Sequence, residues 1–154
     1  MDAAGTRPAA EPKAAAAVDG PRIDRGLSRR QRVFETRIFR EAFDRGAKLV
    51  GRFMVMWVRR GEGAALRVGV VASRRSFRRA VDRARAKRLL RESFRLNRHR
   101  FTGAVDVILV ARMSLSAVRR PEAERDLLRL AEKAGLLRPA AGEGRECAGS
   151  SSPR

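Results

Sequence analysis

The residues best suited to chemistry are the cations of the stretch 73–100, SRRSFRRAVDRARAKRLLRESFRLNRHR. It holds twelve Arg or Lys against two acids, Asp82 and Glu92, a net charge of +10 out of the chain's +19. At about 100° per residue along a helix, one row of cations is formed by Arg83, Lys87, Arg91 and Arg95, flanked by Arg88 and Arg98. Such neighbours repel by a few tenths of a kcal/mol per i, i+4 pair unless an anion lies against them. A nucleic-acid phosphate backbone is the anion that this pattern favours over a merely solvated basic face, which usually interleaves Glu with Lys.

Composition supports an anionic partner. The 154 residues carry 36 Lys or Arg against 17 Asp or Glu, which indicates either nucleic acid or an anionic membrane surface. No apolar run reaches the ~18 residues of a membrane span, and the first twenty residues are not a convincing signal peptide. The single cysteine, Cys147, excludes an internal disulfide and a cysteine zinc site. We therefore expect a cytosolic protein with no membrane partner.

The sequence does not predict an active site made of protein side chains. His99 is the only histidine and stands among arginines, so we interpret it as RNA-facing or solvated rather than as a general base. The acids show no spacing typical of metal ligands, and no Gly-rich phosphate loop follows a strand. Asp106 is a lone carboxylate in an apolar strand, which we expect at the strand's edge or capping a neighbouring group. These residues indicate a binding protein with no metal site of its own.

The surrounding pattern predicts the elements that position the cations. A first helix follows Thr36 and carries an apolar stripe that includes Phe39 and Phe43, which spacing alone favours as core. Residues 48–60 predict one strand with Trp57 on one face, and residues 66–73 predict a second strand that forms a β-hairpin with it. The basic helix runs from Ala80 to near Asn97, a buried strand covers 104–112, and a last helix ends at Gly135. The predicted fold is a single-domain α+β sandwich with one sheet and the order α-β-β-α-β-α.

Both ends of the chain differ from this middle. Residues 1–26 and 137–154 are low in complexity, and we expect a disordered N-terminal arm and a disordered C-terminal tail. Residues 27–136 are then the RNA-binding domain.

The run VGVVASRR…AVDRARAKRLLRESFRLNR resembles the signature of the bacterial ribonuclease P protein component. That signature joins a strand ending in Ser-Lys-Lys, here Ser73-Arg74-Arg75, to a helix reading Ala-Val-x-Arg-Asn-Arg-x-Lys-Arg-x-x-Arg-Glu. The helix positions that match are Ala80, Val81, Arg83, Arg85, Lys87, Arg88, Arg91 and Glu92. The segment 38–46, IFREAFDRG, resembles the family's first helix, and the likeness extends over about 27–135. Two departures are Ala84 in place of the signature's Asn and a longer link between Arg75 and Ala80 that lacks the usual Gly.

The resemblance implies more than the pattern does. The family has a ribosomal-protein-S5-like fold with a left-handed βαβ crossover, and its protein is a subunit of a ribonucleoprotein that removes the 5′ leader from precursor tRNA. The hydrolysis is carried out by the RNA subunit, which needs Mg²⁺, and the protein supplies no catalytic residue. The partners implied are the catalytic RNA and precursor tRNA. The implied contacts with the catalytic RNA are Arg74, Arg83, Arg85, Lys87, Arg88, Arg91 and Arg95. The implied contacts with the leader, in a cleft between the sheet and the first helix, are Phe39, Phe43, Trp57 and Arg75.

Two alternatives stay open beside this interpretation. A ribosomal or other structural RNA-binding protein of similar topology would explain the charge and the fold but not the signature. A self-sufficient nuclease would need the acid cluster that the sequence lacks.

Overall fold

A computed structural model describes residues 25–139 of the chain. Its three helices are α1 (Thr36–Arg45), α2 (Ala80–Asn97) and α3 (Arg120–Lys133). Its four strands are β1 (Ala47–Val50), β2 (Met54–Arg59), β3 (Arg67–Val71) and β4 (Asp106–Ala111). The two predicted tails, with Cys147, fall almost wholly outside the described residues, so the domain boundaries stay predictions. No helix within 25–139 combines the length and the apolar character that crossing a bilayer requires.

The four strands form one sheet in the order β1-β2-β4-β3. β4 pairs antiparallel with β2, from Met54 opposite Ala111 to Arg59 opposite Asp106, and parallel with β3. β4 takes the centre because its side chains are apolar on both faces, and all but one are buried. This sheet confirms the α+β class and the prediction of a buried strand over 104–112.

The predicted hairpin between 48–60 and 66–73 is wrong. Residues 47–59 form two strands, β1 and β2, which are the actual antiparallel hairpin, and the observed order is therefore α-β-β-β-α-β-α. β2 and β3 both flank β4, and the seven-residue loop between them is long enough to pass over the end of β4, since neighbouring strands lie only about 4.8 Å apart. β3, α2 and β4 form the predicted strand–helix–strand crossover with parallel strands; its left-handedness stays a prediction.

The two faces of the sheet bury different helices. Met54, Met56 and Val58 face the main core under α2 and α3, where Leu90 and Phe94 of α2 are fully buried. Val55 and Trp57 alternate with them onto the other face, where Trp57 packs with Ile38 and Ala42 of α1. This alternation is the one that the apolar pattern of β2 predicts.

The helix ends follow local sequence. α2 begins at Ala80 and ends at Asn97 as predicted. α1 begins one residue earlier than expected, because Glu35 rather than Thr36 is its N-cap. α3 ends where Gly135 adopts the left-handed region, with φ of +66°.

Candidate nucleic-acid interface

The cations of α2 line an open groove on the outside of the helical layer. Ala86, Leu90 and Phe94 bury the inner side of α2 in the core. The outer side faces the segment 27–32, where Leu27 and Arg32 form the other wall of the groove. The cations that line it are Arg83, Lys87, Arg88, Arg91 and Arg95. We call this surface the α2 groove, and it brings together the row that helical spacing predicts.

The α2 groove lies along one edge of the sheet. The backbone of Arg32 forms a bridge with Val68 of β3, and the N–H of Val33 donates to the carbonyl of Val68 over 2.9 Å. Since β3 is an outer strand, the segment that forms one wall of the groove is also fixed to the β3 edge.

Two of the predicted cations, Arg83 and Arg95, also hold the protein together. Arg83 donates to the carbonyls of Phe77 and Arg78 and so fixes the loop before α2. Arg95 donates to Glu92 and to the carbonyl of Arg25 at 2.9 Å, which ties the N-terminal segment to the helix. The hydrogen bond from Arg95, with smaller contributions from other arginine charges, holds the pKa of Glu92 below its ordinary value.

The other predicted cations divide into two groups. Lys87 and Arg91 make no hydrogen bond or ion pair with any residue of 25–139, so both remain available to a partner. Arg85 points away from the α2 groove and donates to the carbonyl of Ser116 at 3.0 Å. Arg74 is exposed in the loop before α2 and does not line the groove. The structure therefore gathers five of the seven predicted residues and separates Arg74 and Arg85 from them.

Ala84, the departure from the signature, lines the α2 groove between the arginines. It is exposed. Its methyl group cannot form the hydrogen bonds that an Asn amide could form at this position. The groove at this point therefore offers space and neighbouring charge, but no amide.

A second surface lies on the opposite face of the sheet, between α1 and β2. The rings of Phe43 and Trp57 meet edge to face with centroids 5.3 Å apart, and Phe39 lies 6.5 Å from Phe43. Phe43 is 38% exposed, while Phe39 and Trp57 are half-buried. We call this surface the aromatic cleft, because three of its four predicted residues are brought together and remain accessible.

Two residues of the aromatic cleft were not predicted. Lys48 of β1 lies opposite Trp57, with its Nζ 5.4 Å from the ring centroid. Gly69 of β3 lies under Phe39, and a Cβ there would be 2.8 Å from the Phe39 Cζ. Gly69 thus allows α1 to approach the sheet closely. Only the register of the β1–β2 hairpin places Lys48 at this site, and a single strand over 48–60 does not predict that pairing.

Arg75, the fourth predicted residue, stands apart from the rings. It is exposed in the loop that follows β3, and no hydrogen bond, ion pair or ring contact joins it to a described residue. Between this loop and the rings lies an apolar row across the sheet, in which Val55 and Val71 both pair with Val110. The row continues to Val50, which is 57% exposed. An elongated ligand could therefore run from the rings along these valines towards Arg75.

A buried charge network fixes α1 over the sheet. The carboxylate of Asp106 is fully buried and accepts from Arg59 and Arg67, both at 2.7 Å. Arg59 also donates to Glu41 of α1 at 2.6 Å, and these two acids raise the pKa of its guanidinium. Asp106 is thus the central member of an ion-pair network linking β2, β3 and β4 with α1, which is a larger role than the edge or capping role expected from sequence. Arg59 and Arg67 are 47 and 39 positions from Asp106 in the chain, so the sequence around Asp106 cannot show that they are its partners.

Within the described part of the chain, no three His, Cys, Asp or Glu side chains are grouped in a way that could hold a metal ion. Several acids instead bind arginines or backbone amides. Glu92 pairs with Arg95, and Asp126 of α3 accepts from the backbone N–H of Arg52 and Phe53.

Comparison with known proteins gives a consistent result. The sequence profile of the family described as Ribonuclease P matches residues 27–135. A protein of Chromohalobacter salexigens named "Ribonuclease P protein component" is 40% identical over 105 residues, which cover 68% of this chain and 81% of that protein. A protein of the same name from Pseudomonas savastanoi pv. phaseolicola is 33% identical over 132 residues, covering 85% and 98%.

Solved structures extend the likeness to the fold. The RNase P protein of Thermotoga maritima superposes with a TM-score of 0.59 at 27% identity, covering 66% of this chain and 96% of that one. The RNase P protein of Staphylococcus aureus gives a TM-score of 0.62 at 22% identity, covering 70% and 98%. At that identity the second likeness concerns the fold alone.

Proposed function

Since this chain belongs to the ribonuclease P protein family, we propose that its two surfaces bind two different RNAs. The chain is an RNase P protein subunit with a role in tRNA 5′ processing. In the proposal, the α2 groove binds the catalytic RNA and the aromatic cleft binds the 5′ leader of precursor tRNA. The observation that carries it is the separation of the two surfaces onto opposite faces of one sheet, with different chemistry on each.

The α2 groove suits a phosphate backbone. Lys87 and Arg91 lie one helical turn apart and have no acid partner within 25–139, and Arg88 lies beside them. These neighbouring cations repel one another, and a bound polyanion would offset that repulsion. Binding through such contacts releases counterions from the RNA, so its strength falls steeply as salt rises. A large, stable RNA partner fits this surface.

The aromatic cleft suits a single strand. Unpaired bases stack on aromatic rings, and each stack contributes about 1–3 kcal/mol, with little dependence on the base. Trp57 and Phe43 offer accessible ring surface, and the ammonium group of Lys48 beside Trp57 could pair with a phosphate. Arg75, at the far end of the valine row, could hold a phosphate further along the strand. A precursor tRNA leader is a single strand of this kind.

We further propose that the hydrolysis is carried out by the RNA subunit with Mg²⁺, and that the protein contributes binding and positioning. The proposal is supported by the partners of four acidic side chains. Asp106, Asp126, Glu41 and Glu92 are each engaged by arginines or backbone amides. As a bacterial tRNA-processing subunit, the protein would act in the cytoplasm.

The test is reconstitution. Cleavage of a precursor tRNA at low Mg²⁺ is measured with the RNA subunit alone, the protein alone, and both together. We expect efficient cleavage only from the mixture. Cleavage by the protein alone would identify a self-sufficient nuclease, and a mixture no better than the RNA alone would favour a structural RNA-binding role instead.

A further inference from the structure

A third surface lies at the β1 edge of the sheet, opposite the edge that carries the α2 groove. It is a pocket of about 310 Å³ between the β1–β2 turn and the outer side of α3. Its cations are Arg52 from the turn and Arg125 and Arg129, which are one helical turn apart on α3. Phe53 lines it as well, and we call this surface the α3 pocket.

Among the described residues, the α3 arginines of the pocket have no acid partner although acids are close in sequence. Arg125 and Arg129 make no hydrogen bond or ion pair with any residue of 25–139. Glu122 stands three residues before Arg125, yet its carboxylate accepts from the backbone N–H of Arg119 at 3.0 Å. On the same helix, Arg120 and Glu124 do form an ion pair at 3.2 Å. A solvated helix face would be expected to pair its charges in this second way, whereas the pocket keeps its cations available.

The turn that carries Arg52 and Phe53 is held in place. The buried carboxylate of Asp126 accepts from the backbone N–H of Phe53 at 2.8 Å and of Arg52 at 3.2 Å. The carbonyl of Gly51 accepts from Arg112, and that of Arg52 accepts from the Ser114 hydroxyl, both at 2.7 Å. The Arg52 guanidinium lies 5.3 Å from the centroid of the Phe53 ring. A ligand would thus meet a cation and a ring whose backbone is already fixed, so little ordering cost opposes binding.

We propose that the α3 pocket binds a second segment of the RNA subunit, with its phosphate backbone against Arg52, Arg125 and Arg129 and a base or ribose against Phe53. This inference rests on the proposed function. The α2 groove and the α3 pocket are on opposite edges of the sheet, and two segments of a folded RNA can occupy both at once. A leader bound in the aromatic cleft lies on the other face of the sheet, which makes the RNA subunit the better occupant.

The test compares two double variants that change the net charge equally. Arg125→Gln with Arg129→Gln removes the α3 cations while keeping good helix formers. Arg37→Gln with Arg45→Gln removes two exposed arginines of α1 that belong to none of the three surfaces. The affinity for the RNA subunit, without tRNA, is measured over a series of salt concentrations. We expect the log–log salt slope to be smaller in magnitude by roughly 1.4–1.8 in the α3 variant, since each lost phosphate contact removes about 0.7–0.9. The α1 variant should keep the wild-type slope.

A second measurement locates the contact. A hydroxyl-radical reagent is attached at position 129, through Arg129→Cys in a Cys147→Ser background, and separately at position 87 through Lys87→Cys. We expect cuts from the two positions in different segments of the RNA subunit.

The possible results separate this inference from the proposed function. If the α3 and α1 variants share the wild-type slope and position 129 gives no cuts, the α3 pocket is not an RNA site, although binding through α2 would stand. A loss seen only as weaker binding of precursor tRNA to the assembled holoenzyme would overturn the choice of the RNA subunit as occupant. Failure of the unmodified protein to bind the RNA subunit would instead refute the proposed function itself.

Discussion

The α2 groove and the aromatic cleft lie on opposite faces of one sheet and differ in almost every physical respect. The groove presents cations on the outer side of a long helix, and its binding strength would come from charge and counterion release. The cleft presents half-buried rings with one ammonium group, and its binding strength would come from stacking. The comparison shows how a small domain can keep two RNAs apart: one surface responds to salt and the other responds to whether bases are unpaired.

The largest expected effect comes from reversing charge in the α2 groove. Lys87→Glu with Arg91→Glu should weaken binding of the RNA subunit by about 3–6 kcal/mol at low salt, since each charge-assisted contact contributes roughly 1.5–3 kcal/mol. Neither residue has a hydrogen-bond or ion-pair partner within 25–139, so the melting temperature should change little. The measurement is RNA-subunit affinity beside leader-dependent binding of precursor tRNA to the protein alone. Equal losses in the two would erase the distinction between the surfaces.

The next effect concerns the network beneath the cleft. Asp106→Asn leaves two partly buried arginines without their carboxylate and should lower the free energy of unfolding by about 3–5 kcal/mol. Glu41→Gln is the matched control, because Glu41 is more exposed and forms ion pairs, among the described residues, with Arg59 and Arg37 alone. It should lower the free energy of unfolding much less. Chemical denaturation measures both. An Asp106→Asn protein as stable as the wild type would mean that the network does not fix α1.

A smaller effect tests stacking in the cleft. Phe43→Ala should lower affinity for precursor tRNA by about 1–3 kcal/mol while leaving mature tRNA unaffected, because mature tRNA has no leader. Phe43 is 38% exposed, so Phe43→Ala should lower the free energy of unfolding only a little. Phe39 packs over Gly69, so Phe39→Ala should lower it more. Phe34→Ala is the matched control, since Phe34 is 62% exposed and belongs to neither surface. Equal losses with both tRNAs would return the rings to a purely structural role.

The smallest effect concerns the acid in the α2 groove. Because Arg95 lowers the folded-state pKa of Glu92 below its unfolded value, their pairing contributes stability at neutral pH, and this contribution is lost as pH falls through the folded pKa. Glu92→Gln should therefore reduce the difference in melting temperature between pH 7 and pH 3. It should also raise RNA-subunit affinity slightly, by removing a negative charge from the groove. A variant with an unchanged acid dependence would show that the pair adds nothing measurable to stability.

The sequence predicted features that depend on local pattern. α2 was predicted to within a residue because helix formers and periodic cations are continuous from Ala80 to Asn97. β4 was predicted because its apolar run indicates a central strand. The three rings of the cleft were assigned to a leader site through the family resemblance, since the spacing of Phe39 and Phe43 alone favours a core. The bounds of these elements needed no knowledge of distant contacts.

The features that could not be predicted from the sequence depend on contacts between residues that are distant in the chain. The break at Gly51 divides an apolar run that looks like one strand, and only the resulting hairpin places Lys48 beside Trp57. Gly69 leaves room for the Phe39 ring that packs on it. Asp106 joins three strands because arginines from two other strands pair with its carboxylate. The arginines of α2 look equivalent in sequence, yet their separate partners divide them into fixed and available groups.

The central position of β4 also has a consequence for how the chain is made. β2 and β3 are synthesised first, but neither pairs with the other, and both must wait for the strand at 106–111 that lies between them. During translation, the chain is therefore synthesised through α1, the β1–β2 hairpin and α2 before the four-stranded sheet can form. The β2–β4 and β3–β4 pairs can form only after β4 is made, and such non-local pairing slows folding relative to a helical bundle of this size. Until then, the nascent chain exposes apolar strands next to a highly basic helix, in a cell rich in RNA.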